Sequence, residues 1–146
     1  MVKLALPDNI EWRIFLLKFN VQKTIQYWLN GAEYDIGVAE AMFEKRKYPY
    51  ALFMGHLAIE KLLKALVVKS TGKHAPYTHS LPLLAEKSGL DMPQKTIKRL
   101  AGFMEFQIEA RYPDEQKKFY KKCTKKFADK KLEQIREVYV WLKEKL

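Results

Sequence analysis

The residues of this sequence able to do chemistry are few. They are three histidines (His56, His74 and His79), the segment Ala110-Arg111-Tyr112-Pro113-Asp114, and a run of lysines that follows it. His56, Glu60 and Lys64 recur at four-residue steps, which puts them on one stripe of a helix. Two readings of that stripe stand side by side. It is a row of i,i+4 pairs on an exposed edge, or it lines a groove with Arg111, where positive charge would collect for a phosphate. The histidines do not form a recognisable metal set, and His74 and His79 read as loop and capping residues. A single cysteine, Cys123, excludes cysteine-based zinc spacing. The phosphate-loop pattern G-x-x-x-x-G-K-[ST], the dinucleotide pattern G-x-G-x-x-G and the zinc pattern H-E-x-x-H are all missing. We therefore expect neither a metal nor a cofactor.

The lysine run holds Lys117, Lys118, Lys121, Lys122, Lys125 and Lys126, then Lys130 and Lys131, against one aspartate: a local excess of +7 within a chain of formal charge +10. Its plain reading is a solvated helix face; its functional reading is a surface that contacts phosphates. The net charge permits binding to nucleic acid, an acidic membrane surface or an acidic partner, and selects none of them.

These residues need elements to position them. The 146-residue length fits one domain with a real core. Tyr48–Val68 is apolar on nearly every side and reads as a central helix, buried on most of its circumference and showing one polar edge. Before it, Trp28, Ala32, Asp35, Ala39, Met42 and Phe43 mark the inner face of a helix over about 21–46. Asp35 on that face is either a buried acceptor tying helices together or a site residue. Gly72 ends the central helix, and Ser80 caps a short helix over 81–87. A helix over about 94–109 follows, with Ile97, Leu100, Ala101, Met104 and Ile108 on its apolar face. Pro113 breaks the chain at Arg111-Tyr112. After a lysine-rich approach, the last helix starts near Thr124, and Ala128, Leu132, Ile135, Tyr139, Leu142 and Leu146 form its packing stripe.

The sum is an all-α protein, an antiparallel up-and-down helical bundle of about five main helices over 21–146. Residues 1–20 read as an N-terminal helical extension that packs on the bundle or on a second subunit. No apolar run is long enough for a membrane span, the N-terminus is a poor signal peptide, and we expect a cytoplasmic protein with no membrane partner.

The run Ala51, Phe53, His56, Ala58, Glu60-Lys61, Leu63-Lys64-Ala65 resembles the signature helix of the HEPN domain. Trp28, Ala32, Asp35 and Ala39 upstream, then Thr78-His79-Ser80-Leu81 and Ala110-Arg111-Tyr112-Pro113-Asp114 downstream, match further motifs in the family's order. The resemblance covers about Gln26 to Leu142. It implies a helical bundle that forms a homodimer and works near nucleotides or RNA. It also implies a minimal nucleotidyltransferase as partner, in a pair of toxin–antitoxin type. Many HEPN proteins are metal-independent ribonucleases that use an arginine followed four to six residues later by a histidine. There the histidine serves as general acid or base and the arginine holds the phosphate.

Here the chain departs from the family. No histidine follows Arg111 at all, and none follows any other arginine at that distance. The ribonuclease activity is therefore not carried over. The expected function is that of a nucleotide- or RNA-associated binding protein, with His56, Glu60, Lys64, His79, Arg111, Tyr112 and Asp114 as candidate phosphate-binding residues. The alternatives are an atypical ribonuclease using Arg111, His56 and Asp114, or a passive RNA or nucleotide binder using Lys117–Lys131.

Overall fold

The computed structural model describes residues 19–146. The expected helix over residues 1–20 thus lies almost wholly outside the described residues. Six α-helices follow in order: α1 (Val21–Glu44), α2 (Tyr48–Thr71), α3 (Leu81–Lys87), α4 (Gln94–Phe103), α5 (Pro113–Lys122) and α6 (Lys125–Lys143). None of the described helices is long and apolar enough to cross a membrane.

Helix α2 is the hub. It packs along α1 and against α6 and α3. Fifteen of its 24 residues are buried, among them Leu52, Ile59, Leu62, Leu63 and Leu66, and only the stripe of Tyr50, Met54, Leu57 and Lys61 reaches solvent along its middle. Each such leucine or isoleucine contributes roughly 1.5–3 kcal/mol when fully buried. The facing stripe of α6 is Ala128, Leu132, Ile135 and Leu142, all wholly buried, with Tyr139 nearly so. The two helices approach closest at Gly55. A Cβ built there would stand 2.8 Å from Ile135 Cδ1 and 3.2 Å from Ile135 Cγ2.

The helix ends follow sequence chemistry. Asn20, Ser80 and Thr124 each accept a hydrogen bond from a backbone N–H of the helix that they cap: α1, α3 and α6. Pro49, Pro82 and Pro113 sit in first turns, where the missing N–H costs nothing. Helix α1 ends in a Schellman motif: Lys47 N–H donates to Met42 O at 2.8 Å and Arg46 N–H to Phe43 O at 3.0 Å. The motif needs a left-handed residue, and the chain supplies Arg46, at φ 61°. Arg46→Gly removes the Cβ clash of that conformation and adds unfolded-state freedom. The expected net gain is about 0.5–1 kcal/mol, read as a melting temperature about 2–3 °C higher.

One expectation is corrected. The helix over 94–109 is not continuous: α4 stops at Phe103, and single 3₁₀ turns follow at Met104–Phe106 and Ile108–Ala110. The apolar residues change face there. Leu100, Phe103, Phe106 and Ile108 are buried, whereas Ile97 and Ala101 are exposed. One straight helix cannot put both Phe103 and Phe106 at the core while Ile108 also turns inward. The lysine-rich approach to the last helix is itself helical, α5. It is anchored by Phe119, whose ring centre lies 5.9 Å from that of Phe106.

Candidate functional site

The polar stripe of α2 is not an exposed edge. His56 is 0% exposed, Glu60 4% and Lys64 6%. The stripe is covered because four elements converge on it. Lys64 Nζ donates to Glu60 Oε2 at 3.1 Å and lies 5.0 Å from the centre of the Trp28 ring of α1. His79, in the loop before α3, comes within 2.9 Å of Glu60 Oε1 through Nδ1, which donates. His56 Nδ1 stands 3.2 Å from Phe103 O, the last residue of α4; a carbonyl only accepts, so this nitrogen carries the proton. His56 Nε2 lies 3.7 Å from Glu60 Oε1, beyond hydrogen-bond reach, and has no hydrogen-bond partner among the described residues.

Burial alone would push the Glu60 carboxyl up. The neighbouring His56, then His79 and Lys64, outweigh it and hold the group down at about 2. Glu60 is therefore a buried anion at every ordinary pH. It joins α2 to the His79 loop, and its partner Lys64 meets Trp28 of α1.

A second ion pair, between a buried carboxylate and a half-buried ammonium, starts from the next residue of α2. Asp35 Oδ2 of α1 faces Lys61 Nζ of α2 at 2.7 Å. Asp35 is thus the inter-helix tie that one sequence reading assigned to it. Gly31 leaves room for the Lys61 stem, whose Cδ would stand 3.0 Å from a Cβ at that position.

Arg111, Tyr112 and Asp114 form a separate group at the start of α5. No hydrogen bond or ion pair joins them to the Glu60 cluster among the described residues. Arg111 Nη1 lies 3.7 Å from Glu115 Oε2. Its Nε is buried without a hydrogen-bond partner among the described residues. Gln116 fixes the backbone here, donating to Ile108 O at 2.8 Å and to Arg111 O at 3.1 Å. Tyr112 is 79% exposed, in the N-cap position. Asp114 and Glu115 lie in the first turn of α5, where negative charge suits the helix dipole.

The candidate basic surface is exposed as the lysine pattern suggests: Lys117, Lys118, Lys121, Lys122, Lys125 and Lys126 all face solvent. Lys122 is partly spoken for, donating to Glu105 Oε1 at 2.6 Å. Between α5 and α6, Cys123 is 7% exposed. Burial pushes its thiol up to about 12, Glu105 adds to this, and Lys122 works against it.

Sequence reasoning passed over Lys95, Lys98 and Arg99 of α4, which share a groove with Lys131 of α6. Their i, i+3, i+4 spacing was the available signal. Among the described residues, no three His, Cys, Asp or Glu side chains are arranged to hold a metal ion.

The chain is an all-helical bundle centred on α2, with the Glu60 cluster inside it and Arg111 at the head of α5. The family model of the HEPN domain matches residues 25–146, and the chain belongs to the HEPN domain family. Among solved structures, the fold is similar to that in the crystal structure of TT1696 from Thermus thermophilus. The TM-score is 0.70 at 22% sequence identity, over 84% of this chain and 98% of that one. Among curated proteins none matches the chain.

Proposed function

We propose that this HEPN chain is a nucleotide- or RNA-associated binding protein. In this reading it pairs with a minimal nucleotidyltransferase, in a system of toxin–antitoxin type, and does not cut RNA through an arginine–histidine pair. One observation carries the last point. Of the histidines nearest the family motifs, His56 is wholly buried and donates to Phe103 O, and His79 donates to the Glu60 carboxylate. A general acid or base must come within hydrogen-bond reach of the proton that it moves. His56 meets no solvent, and Arg111 has no histidine after it in the chain. Positive charge is open to a ligand on the exposed lysines of α5 and α6.

A homodimer fits this reading. Helix α1 packs mainly on α2 and leaves Tyr27 69% and Tyr34 74% exposed. Exposed aromatics of this kind are enriched in subunit interfaces.

The test is a tagged pull-down from native extract, with co-purifying proteins identified by mass spectrometry. A nucleotidyltransferase in stoichiometric amount is expected; its absence overturns the pairing. In parallel, wild-type protein and Arg111→Ala are incubated with labelled RNA. Both are expected to leave it intact. Cleavage by the wild type that disappears in Arg111→Ala would show an atypical ribonuclease instead.

A further inference from the structure

The groove between α4 and α6 is explained by none of the motifs above. Its volume is about 430 Å³, within the range of small-molecule sites. Lys95, Lys98 and Arg99 line it from α4 and Lys131 from α6, with the amides of Gln94 and Gln134 beside them. Packing does not require this. Helix α4 buries only Leu100 and Phe103, and like charges one turn apart repel.

One carboxylate faces the cations. Glu137 Oε2 of α6 lies 2.5 Å from Arg99 Nη1. Arg99, and more weakly Lys95, hold that carboxyl below its usual range. Lys95, Lys98 and Lys131 have no carboxylate at ion-pair distance among the described residues, so the groove keeps an uncompensated positive charge. The Lys131 ammonium is further placed by the Phe127 ring, 5.7 Å from its centre.

Gly102 is the second observation. It also lines the groove, and a Cβ there would meet nothing within 4 Å. Glycine inside a helix costs about 1 kcal/mol relative to alanine. Here no close packing requires it, and the wall of the groove carries no side chain at this position.

We propose that this groove is a phosphate-binding site that takes one nucleotide unit of a single RNA strand. The cations hold the phosphate, and the amides of Gln94 and Gln134 meet polar edges of the same unit. The proposal rests on the RNA-associated reading above for its choice of RNA as carrier.

The experiment measures binding of a fluorescein-labelled single-stranded RNA to the full chain by anisotropy, from 50 to 200 mM salt. Circular dichroism checks each variant for helicity. Lys98→Glu/Lys131→Glu is expected to weaken binding about tenfold or more and to flatten the salt slope by about 0.7, the share of the one single-strand phosphate that the groove holds. Gly102→Trp, which fills the groove without changing charge, is expected to weaken binding as well. Lys118→Glu/Lys121→Glu makes the same charge change on α5 and is expected to have the smaller effect.

Two results overturn the groove while leaving the RNA-associated reading intact. One is wild-type binding that Gly102→Trp does not alter; the other is equal losses for the two charge-reversal pairs. A wild-type chain that binds neither the RNA nor AMP overturns both. AMP as competitor separates the carriers: displacement of RNA at equal phosphate concentration assigns the groove to free nucleotides, and failure to displace assigns it to the strand.

Discussion

Glu60→Ala lowers the melting temperature by roughly 10 °C. The carboxylate is 4% exposed, and removing it leaves Lys64 buried at 6% exposure without its anion. Breaking a buried ion pair from one side typically costs about 3–5 kcal/mol, because the remaining charge has lost its compensation. For a chain of this size each kcal/mol is worth about 2–4 °C. His79 also loses the acceptor that holds its loop to α2.

The acid limb gives an independent reading of the same cluster. The Glu60 carboxyl is held at about 2, against 4.5 for a free side chain, so the folded state binds its proton less readily than the unfolded chain does. Its contribution is complete above pH 4.5 and is lost as the pH falls through about 2. The shift corresponds to a contribution on the order of 3 kcal/mol. Thermal melts of wild type and Glu60→Gln across that window are expected to converge at the acid end. Curves that stay parallel down to about pH 2 would show that the carboxylate carries no such linkage.

The second large effect is steric. Gly55→Leu forces a side chain into the crossing of α2 and α6, where even a Cβ would lie 2.8 Å from Ile135 Cδ1. Overpacking of this kind costs about 1–3 kcal/mol and more where the backbone must move. Ile135→Ala alone costs about 2–5 kcal/mol by leaving a cavity. The double variant fills that cavity with the new leucine, so the two losses are expected to fall short of additivity by about 1 kcal/mol or more in urea melts. Strict additivity would place the clash elsewhere.

The bundle was legible because its signals are periodic and local. The apolar run of α2, the stripe of α6 and the capping residues each state a helix in their own few residues. Three things were not legible. The break after Phe103 depends on where Phe106 and Ile108 find the core, a tertiary fact that outweighs the helical spacing of the segment. The burial of His56, Glu60 and Lys64 depends on Trp28, His79 and Phe103, which lie far from them in the chain. A four-residue spacing reports a common face and is silent about what covers it. The α4–α6 groove was missed for the same reason. Lys95, Lys98 and Arg99 are an ordinary cationic helix face until Lys131 is brought opposite.

Cys123 gives the chain a built-in reporter. Thiol reagents attack the thiolate, and a buried thiol held up at about 12 offers almost none at neutral pH. Alkylation of the folded protein must then wait for the junction of α5 and α6 to part from the core. The labelling rate, set against that of the unfolded chain, measures the free energy of that local opening. The same junction lies between the exposed lysines of α5 and those at the start of α6. A ligand bridging α5 and α6 would therefore register as slower alkylation at this one sulfur, with no label or engineered probe.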